Sequence, residues 1–171
     1  MSFVSPKTAL ISLSDKSNLE ELVNFLISEN VKILSTGGTY SQIKNITNEV
    51  IEVSEFTGFE EMMDGRVKTL HPKIHAGILA RRDSDMEILK EKNYEPIDLV
   101  VVNLYPFQET IASECSFEEA IEKIDIGGPT MIRAAAKNFK DVVVVSNPND
   151  YKKLIEAVSY THLRAHETSH H

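Results

Sequence analysis

Positive charge and imidazole groups are concentrated in one short stretch of a chain that is acidic overall. Residues 64–75 read Asp-Gly-Arg-Val-Lys-Thr-Leu-His-Pro-Lys-Ile-His, with no helical or alternating apolar period, so burial does not account for them. Arg66 can hold a phosphate or carboxylate through two hydrogen bonds. Lys68 lies two residues later, so in an extended loop both cations share one face. The stretch is therefore predicted to hold an anion beside which a reaction takes place.

The histidines of this stretch raise the alternative of a metal site. His71 and His75 have the spacing of a zinc-binding pair, but Pro72 argues against a helix interior there. No glutamate follows His71, although the metalloprotease motif requires one. The sequence therefore favours anion binding, and no metal ligand is predicted.

A glycine turn offers a second set of groups for an anion. Residues 36–39 read Thr-Gly-Gly-Thr between a predicted strand and a predicted helix. Glycines let backbone N–H groups approach a phosphate, the hydroxyls add donors, and the helix N-terminus adds the positive end of its dipole. The Lys-Ser/Thr ending of a Walker loop is missing, and a plain turn is the alternative. Ser14, Asp15 and Lys16 follow the preceding strand and either join this site or form only a solvated helix cap.

A carboxylate beside a second glycine pair indicates where bonds change. Residues 125–128 read Asp-Ile-Gly-Gly and open a predicted helix, whose N–H groups can stabilise a developing oxyanion. An aspartate N-cap with a glycine turn is the alternative. Lys137 ends the same helix and becomes a candidate base only if a cation such as Lys68 lowers the pKa of its ammonium group. Tyr105, after the strongest strand, is either a site residue or a packed aromatic.

Strands and helices alternate along the chain and form the scaffold for these groups. Short apolar runs predict strands at residues 8–13, 31–34, 50–53, 98–103 and 142–146. Three helices between them begin with capping boxes, formed by Ser17 and Glu20, Ser84 and Glu87, and Ser116 and Glu119. The alternation predicts an α/β fold: a doubly wound, mainly parallel sheet with helices on both faces. In such sheets ligands bind beyond the carboxyl ends of the strands, where most of these chemical groups fall.

Composition excludes several classes of protein. The chain has 171 residues, of which 42% are hydrophobic and 26% charged, as expected for one globular domain with a full core. Its formal net charge of -8 argues against nucleic acid or an anionic membrane as a partner. Cys115 is the single cysteine, so no internal disulfide is possible and a cytoplasmic location is predicted. No signal peptide or membrane span is predicted.

The end of the chain differs from the rest. Residues 1–158 are predicted to form one domain, and residues 159–171 a non-native or disordered tail without a core pattern. The tail holds four of the six histidines, so a histidine-rich metal tract is the alternative. An artefactual or disordered tail is favoured over that alternative.

Seven motifs in a fixed order resemble a known family. They are Ser-Asp-Lys at 14–16, Ser-Thr-Gly-Gly-Thr at 35–39, Gly-Arg-Val-Lys-Thr-Leu-His-Pro at 65–72, His-Ala-Gly-Ile-Leu at 75–79, Asn-Leu-Tyr-Pro-Phe at 103–107, Ile-Asp-Ile-Gly-Gly at 124–128 and Arg-Ala-Ala-Ala-Lys-Asn at 133–138. Residues 7–157 closely resemble the N-terminal IMP cyclohydrolase domain of the bifunctional purine-biosynthesis proteins, a domain similar in fold to methylglyoxal synthase. The resemblance implies ring closure of 5-formamidoimidazole-4-carboxamide ribotide to IMP and water. In that reaction the carboxamide nitrogen attacks the formyl carbon, and an oxyanion forms and collapses.

The resemblance also implies roles for individual residues. One group would bind the ribotide, largely its phosphate: Ser14, Asp15, Lys16, Thr36, Gly37, Gly38 and Thr39. A second group would hold the nucleotide across the site: Arg66, Val67, Lys68 and Thr69. Asn103 and Tyr105 would contact the base, with Tyr105 also counted among the catalytic residues. The remaining residues would act on the reacting atoms: Asp125 on the carboxamide, the N–H groups of Ile126 and Gly127 on the oxyanion, and Lys137 as proton donor and acceptor with Lys68 as its electrostatic partner.

The family implies no cofactor and no metal, and its partner is a small purine ribotide. Its members continue into a larger C-terminal formyltransferase domain, so this sequence is expected to lack transferase activity. A homodimer is predicted mainly through that missing domain, which leaves the oligomeric state of this fragment open. Two other activities of the fold are alternatives. A phosphate-eliminating lyase needs a further carboxylate at residues 36–39, and a nucleotide-sensing regulatory domain needs no pairing of Asp125 with Lys137.

Overall fold

One parallel sheet forms the centre of the molecule. The computed structural model describes residues 5–169, with side chains as far as Thr161. Its strands are β1 (Thr8–Ser12), β2 (Lys32–Ser35), β3 (Val50–Glu52), β4 (Leu99–Val102) and β5 (Val143–Val145). They lie in the order β3-β2-β1-β4-β5, and each neighbouring pair is parallel. The predicted parallel α/β sheet is confirmed.

Helices connect the strands. They are α1 (Leu19–Ser28), α2 (Gly37–Ile46), α3 (Val53–Thr57), α4 (Pro72–Leu79), α5 (Met86–Glu91), α6 (Phe107–Ala112), α7 (Phe117–Glu122), α8 (Gly127–Lys137) and α9 (Tyr151–Ser169), with a short 3-10 turn over Pro148–Asp150 before the last. The sequence interpretation missed α3 and α6, which are short and contribute few buried side chains. Short helices of this kind are stabilised by tertiary contacts rather than by helix propensity. Their sequences therefore need not show a helical period of apolar residues.

Alternating side chains of the strands fill two separate cores. Ala9 and Ile11 of β1 face a core that also contains Leu26 of α1 and residues of α2 and α9. Leu10 lies between them in sequence and faces the opposite core, which contains Ile78 of α4 and residues of α3 and α8. Both faces of the sheet are therefore covered, which is why the strands read as continuous apolar runs.

Two of the three predicted capping boxes are wrong. Asn18, at a φ of 61°, is the N-cap of α1, and Ser17 instead donates its hydroxyl to Asp15 at 2.6 Å. Asp85, rather than Ser84, precedes α5. The third box is confirmed, because Ser116 and its partner glutamate bond reciprocally at the start of α7. A serine three residues before a glutamate thus satisfies the motif without fixing where the helix begins.

The cationic stretch is only partly a loop. Its second half is the start of α4, with Pro72 at the first helical position and His71 as the N-cap. Proline is favoured there because the missing N–H has no partner within a helix anyway. Ile74 is fully buried, so this half of the stretch does contribute to the core. The prediction that burial does not account for this stretch is therefore wrong for the residues that follow His71.

The last helix continues past the predicted domain boundary. Val158 is buried in the core, and α9 runs on to Ser169. Residues 159–169 contain neither glycine nor proline, so extending an existing helix over them is favourable. The domain boundary at residue 158 and the non-native or disordered tail stay predictions, and His170 and His171 lie outside the described residues. Among those described, no helix is both long and apolar enough to cross a lipid bilayer.

Candidate active site

A groove opens at the carboxyl ends of β1, β2 and β4, between the N-termini of α2 and α8. It consists of a cavity of about 240 Å³ and an adjoining cavity of about 510 Å³ with shared lining residues. The smaller cavity is lined by these predicted site residues: Lys16, Thr36, Gly37, Gly38, Thr39, Arg66, Lys68, Thr69, Asp125 and Gly127. The larger adds Ser14, Asn103, Tyr105 and Ile126. Three predicted residues line neither cavity: Asp15, Val67 and Lys137.

The smaller cavity brings two ammonium groups to a helix N-terminus. Lys68 Nζ lies 3.3 Å from the point where a Cβ on Gly37 would stand. Lys16 Nζ lies 3.9 Å from the corresponding point on Gly38. Gly37 opens α2, whose first N–H groups have no partner within the helix. Cations beside unpaired N–H groups at the positive end of a helix dipole form a suitable environment for a phosphate group.

The threonines of the glycine turn bond to the scaffold. Thr39 Oγ1 donates to the Leu13 carbonyl at 3.1 Å and accepts from the Leu13 N–H at 2.9 Å. Thr36 Oγ1 donates to the Glu52 carboxylate at 3.1 Å. Both threonines are buried. Both hydroxyls thus bond to neighbouring parts of the scaffold, while the two threonines line the smaller cavity, and their predicted role as donors for a phosphate stays a prediction.

A hairpin presents the two cations of residues 66–68. Met62 and Val67 form an antiparallel bridge, with N···O distances of 3.0 and 3.3 Å. Met63 and Asp64 in the connecting turn have positive φ values of 56° and 57°. Val67 is used by the hairpin and lines a separate cavity, so its predicted contact with the substrate is not supported. Arg66 and Lys68 both line the smaller cavity, as the extended spacing predicts.

Both hairpin cations are paired with carboxylates. Lys68 Nζ lies 3.2 Å from Glu61 Oε2, on the facing arm of the hairpin. Arg66 Nη2 donates to Glu122 Oε1, in the last turn of α7. The sequence interpretation missed both partners. The Asp64-Gly65 dipeptide is a hairpin signal that could have set Glu61 opposite Lys68, whereas only the fold brings Glu122 near Arg66.

Asp125 stands at the wall of the groove opposite α2. Its Oδ1 accepts from the Gly128 N–H at 2.9 Å, although Ile126 rather than Asp125 is the N-cap of α8. The exposed carboxylate of Asp125 lines both cavities. A Cβ on Gly127 would stand only 2.6 Å from Thr69 Oγ1. Thr69 is buried, so the start of α8 can approach the hairpin this closely only with glycine. A carboxylate and the first N–H group of a helix thus lie side by side.

Asn103 and Tyr105 form the wall of the larger cavity. The Asn103 Oδ1 accepts from the N–H groups of Ser14 at 2.7 Å and Asp15 at 2.9 Å, and its Nδ2 donates to the Asp15 carbonyl at 2.7 Å. Its amide is therefore committed to the loop after β1, which limits the predicted contact with a base. Lys123 Nζ lies 4.7 Å from the centre of the Tyr105 ring, a cation–π contact.

Asp15 has a local structural role. Its carboxylate accepts from the N–H and hydroxyl of Ser17 at 2.9 and 2.6 Å, and these hydrogen bonds hold the pKa of Asp15 below its ordinary value. Since Asp15 is exposed and does not line the groove, its predicted contact with the substrate is not supported.

Lys137 lies away from the groove. It is the eleventh and last residue of α8, and its side chain is exposed. Because Gly127 at the start of α8 lines the groove, a rise of about 1.5 Å per residue puts Lys137 about 15 Å further along the axis. The neighbouring Asn138 bonds to the carbonyls of Ile78 and Ala80 at the far end of α4. The predicted pairing of Lys137 with Lys68 has no support within one copy of the chain and stays a prediction.

The two histidines of residues 64–75 make contacts within the protein. His71 Nδ1 accepts from the Lys73 N–H at 3.0 Å, and its ring packs on Phe59 with centroids 4.8 Å apart. Burial lowers the pKa of His75, and a hydrogen bond with the Thr69 backbone opposes that shift. Among the described residues, no group of three or more His, Cys, Asp or Glu side chains could hold a metal ion. That the domain needs no metal stays a prediction.

Glu52 is a third carboxylate that the sequence interpretation missed. Burial raises its pKa, while the hydrogen bond from Thr36 and the charge of Lys68 act in the opposite direction. Glu52 lines a further cavity with Tyr40 and Phe59, and this cavity shares Thr36, Gly37 and Lys68 with the smaller cavity of the groove. A carboxylate thus lies beside the glycine turn, where a phosphate-eliminating lyase would need one.

Comparison with known proteins supports one family. Residues 18–130 match the family described as MGS-like domain. The chain is 57% identical over 155 residues to the bifunctional purine biosynthesis protein PurH of Fusobacterium nucleatum, covering 90% of this chain and 31% of that protein. It is also 57% identical over 164 residues to PurH of Clostridium acetobutylicum, covering 95% of this chain and 33% of that protein. The crystal structure of ForH aligns with a TM-score of 0.75 and 36% identity, covering 89% of this chain and 79% of ForH.

These matches confirm the resemblance that the seven motifs predict. The chain spans about a third of the length of the PurH proteins that it matches. The family match covers more than half of the chain and includes the glycine turn, the hairpin and Asp125. On the sequence match and the five-stranded parallel fold together, the chain belongs to the MGS-like domain family.

Proposed function

We propose that this domain is an IMP cyclohydrolase, which closes the ring of 5-formamidoimidazole-4-carboxamide ribotide with loss of water. The observation that carries the proposal is the shared lining of one groove by two lysines at the N-terminus of α2 and by Asp125 at the N-terminus of α8. Its support from relatives is the 57% identity to PurH, a protein whose name gives a role in purine biosynthesis. Since the chain matches only part of PurH, the activity has to be measured on the chain itself.

The phosphate of the ribotide would occupy the smaller cavity. Lys16 and Lys68 flank the two glycines of the turn, and the N–H groups at the start of α2 add neutral donors. Charge-assisted hydrogen bonds of this kind are about twice as strong as neutral ones. The imidazole ring would then extend toward the larger cavity, where Tyr105 and Ile126 are found. The two adjoining cavities thus offer separate places for the phosphate and the base of a nucleotide.

Asp125 would act on the reacting atoms. One of its oxygens accepts from the Gly128 N–H, which leaves the other to accept a proton from the carboxamide nitrogen. That nitrogen bonds to the formyl carbon, and the formyl oxygen becomes negative beside the N–H of Gly127. One proton from the carboxamide nitrogen and one from the formamide nitrogen then leave with this oxygen as water. Lys137 takes no step in this scheme.

The proposed partner is accordingly a small purine ribotide, and the proposed location is the cytoplasm. No nucleic acid or membrane is needed for a reaction on a free nucleotide, and the net charge of -8 agrees with that view. A homodimer stays part of the proposal.

A nucleotide-sensing domain is the second candidate. The observation that favours it is the position of Lys137 at the far end of α8, because the groove then has anion-binding groups but lacks the proposed second proton-transfer residue. A sensing domain is expected to bind a nucleotide tightly without converting it. A cyclohydrolase is expected to bind the nucleotide and to convert it.

The deciding experiment supplies the purified chain with the formylated ribotide and follows the appearance of IMP. Asp125→Asn keeps an oxygen for the Gly128 N–H, so the variant is expected to fold and bind IMP while turnover falls by about a hundredfold or more. The matched control is Asp83→Asn, an exposed aspartate paired with Lys140.

Three outcomes would contradict the proposal in different ways. Binding of IMP without its formation would favour the sensing function. A wild-type rate in Asp125→Asn would remove Asp125 from the chemistry. Failure to bind either nucleotide would refute both functions.

A further inference from the structure

Arg66 already has an anionic partner in the protein without ligand. Its Nη2 donates to Glu122 Oε1, and both residues line the larger cavity of the groove. The two side chains are 58% and 59% exposed, so an incoming ligand can reach the pair. An anion that uses the Nη2 of Arg66 would therefore compete with a carboxylate.

Glu122 lies on an exposed helix beside the groove. It ends α7, a six-residue helix in which no described residue is buried. α7 packs chiefly against α6, which also has no buried residue, so the pair of helices lies on the surface beside the groove. The Arg66–Glu122 ion pair is thus a direct link between this surface segment and the hairpin.

Lys68 repeats the arrangement from the other side. Its Nζ lies 3.2 Å from Glu61 Oε2, and Glu61 does not line the groove. The two hairpin cations are therefore charge-paired by carboxylates from different elements. Of these two pairs, the one formed by Glu122 has its carboxylate within the groove, where a ligand would lie.

We propose that Glu122 is a competing carboxylate that occupies Arg66 until an anionic ligand displaces it, and that it thereby weakens the binding of ligands that use Arg66. The inference rests on the proposed function only in taking the ligand to be a phosphate monoester of a nucleoside. A phosphate dianion carries more charge and more acceptor oxygens than a carboxylate, so it can compete for the guanidinium. Glu122 therefore lowers the affinity for ligands that use Arg66, by about the strength of an exposed ion pair.

The test measures the affinity for IMP by calorimetry in a double-mutant cycle. Glu122→Gln removes the competitor and is expected to bind IMP roughly two- to fivefold more tightly, the scale of an exposed ion pair. In the Arg66→Ala background the same substitution is expected to change nothing, because the contested cation is gone. Glu118→Gln is the matched control, since Glu118 is an exposed glutamate on the same helix that does not line the groove.

The double-mutant cycle distinguishes competition for Arg66 from a general electrostatic effect of removing one negative charge. Equal or weaker binding by Glu122→Gln would overturn the proposal. An equal gain in the presence and absence of Arg66, or an equal gain from Glu118→Gln, would overturn it as well, because only the net charge would then matter. Circular dichroism establishes that each variant is folded before its affinity is compared.

A parallel titration with inorganic pyrophosphate distinguishes this inference from the proposed function. If the wild type binds no IMP, the proposed function fails. Tighter pyrophosphate binding by Glu122→Gln than by the wild type, again only when Arg66 is present, would still support the competing carboxylate. No gain for pyrophosphate in that case would overturn it too.

Discussion

Gly37→Ala tests whether the glycine turn depends on a backbone conformation that only glycine adopts without strain. Gly37 has a φ of +60°, a left-handed conformation that costs a residue with a Cβ about 1–2 kcal/mol. Its new methyl group would also stand 3.3 Å from Lys68 Nζ, so the ammonium group must move by a few tenths of an ångström. Both effects act at the smaller cavity, so the variant is expected to lose stability and to bind IMP less tightly.

Gly38→Ala supplies the matched control, because it adds the same methyl group one residue later. Its φ is not in the left-handed region, and its Cβ would make an ordinary contact of 3.8 Å with Lys16 Cε. Alanine is favoured over glycine within a helix by up to about 1 kcal/mol. The free energies of unfolding of the two variants are therefore expected to differ by about 2 kcal/mol.

Urea unfolding followed by circular dichroism measures this difference. With a typical slope of about 2 kcal/mol per molar urea, the midpoint of Gly37→Ala should lie about 1 M below that of Gly38→Ala. Equal midpoints would show that the positive φ of Gly37 is not enforced. The argument that this glycine is needed for the turn would then be refuted, whatever the effect on IMP binding.

Two further predictions concern packing and pH. Gly127→Ala would set a Cβ 2.6 Å from the buried Thr69 Oγ1 and should destabilise the fold by about 1–3 kcal/mol in urea unfolding, the range for overpacked sites. Adding Thr69→Ala removes that oxygen and should restore most of the loss, and failure of this rescue would show that the clash is not the cause. Burial lowers the pKa of His75 from 6.5, so the unfolded chain binds a proton at a pH where the folded protein does not, and stability should fall as the pH drops below 6.5. His75→Gln should reduce the loss of stability measured between about pH 7.5 and about pH 5.5, and an unchanged loss would contradict the assignment to His75.

The sheet could be predicted because its strands are buried on both faces. Continuous apolar runs such as Leu99–Val102 leave little alternative to a covered parallel strand, and helix periodicity between the runs supplies the connections. The same rule correctly brings residues from the ends of β1, β2 and β4 together. The parallel sheet and the position of the groove at its strand ends could therefore be predicted from the alternation of strands and helices in the sequence.

The errors arise where several side chains can satisfy one motif or where direction matters. Ser17 and Ser84 both match the capping box, yet local hydrogen bonds choose other residues at the helix ends. Lys137 shows why direction matters, since a helix whose N-terminus lines the groove carries its last residue away from the groove. Glu122 could not be found because no sequence pattern pairs it with Arg66, 56 positions earlier.

The amide of Asn103 has a consequence for how the groove meets its ligand. The Asn103 side chain accepts two hydrogen bonds and donates one, and these three bonds join the end of β4 to the loop after β1. The two neighbouring strand ends are therefore fixed before a ligand binds. Association generally loses free energy to the ordering of loops and side chains at the contact. Here that ordering is already complete along one wall, whereas the side bounded by α7 is tied by an exposed ion pair. The loss of conformational entropy on ligand binding is therefore expected to arise mainly on the side of the groove that α7 bounds.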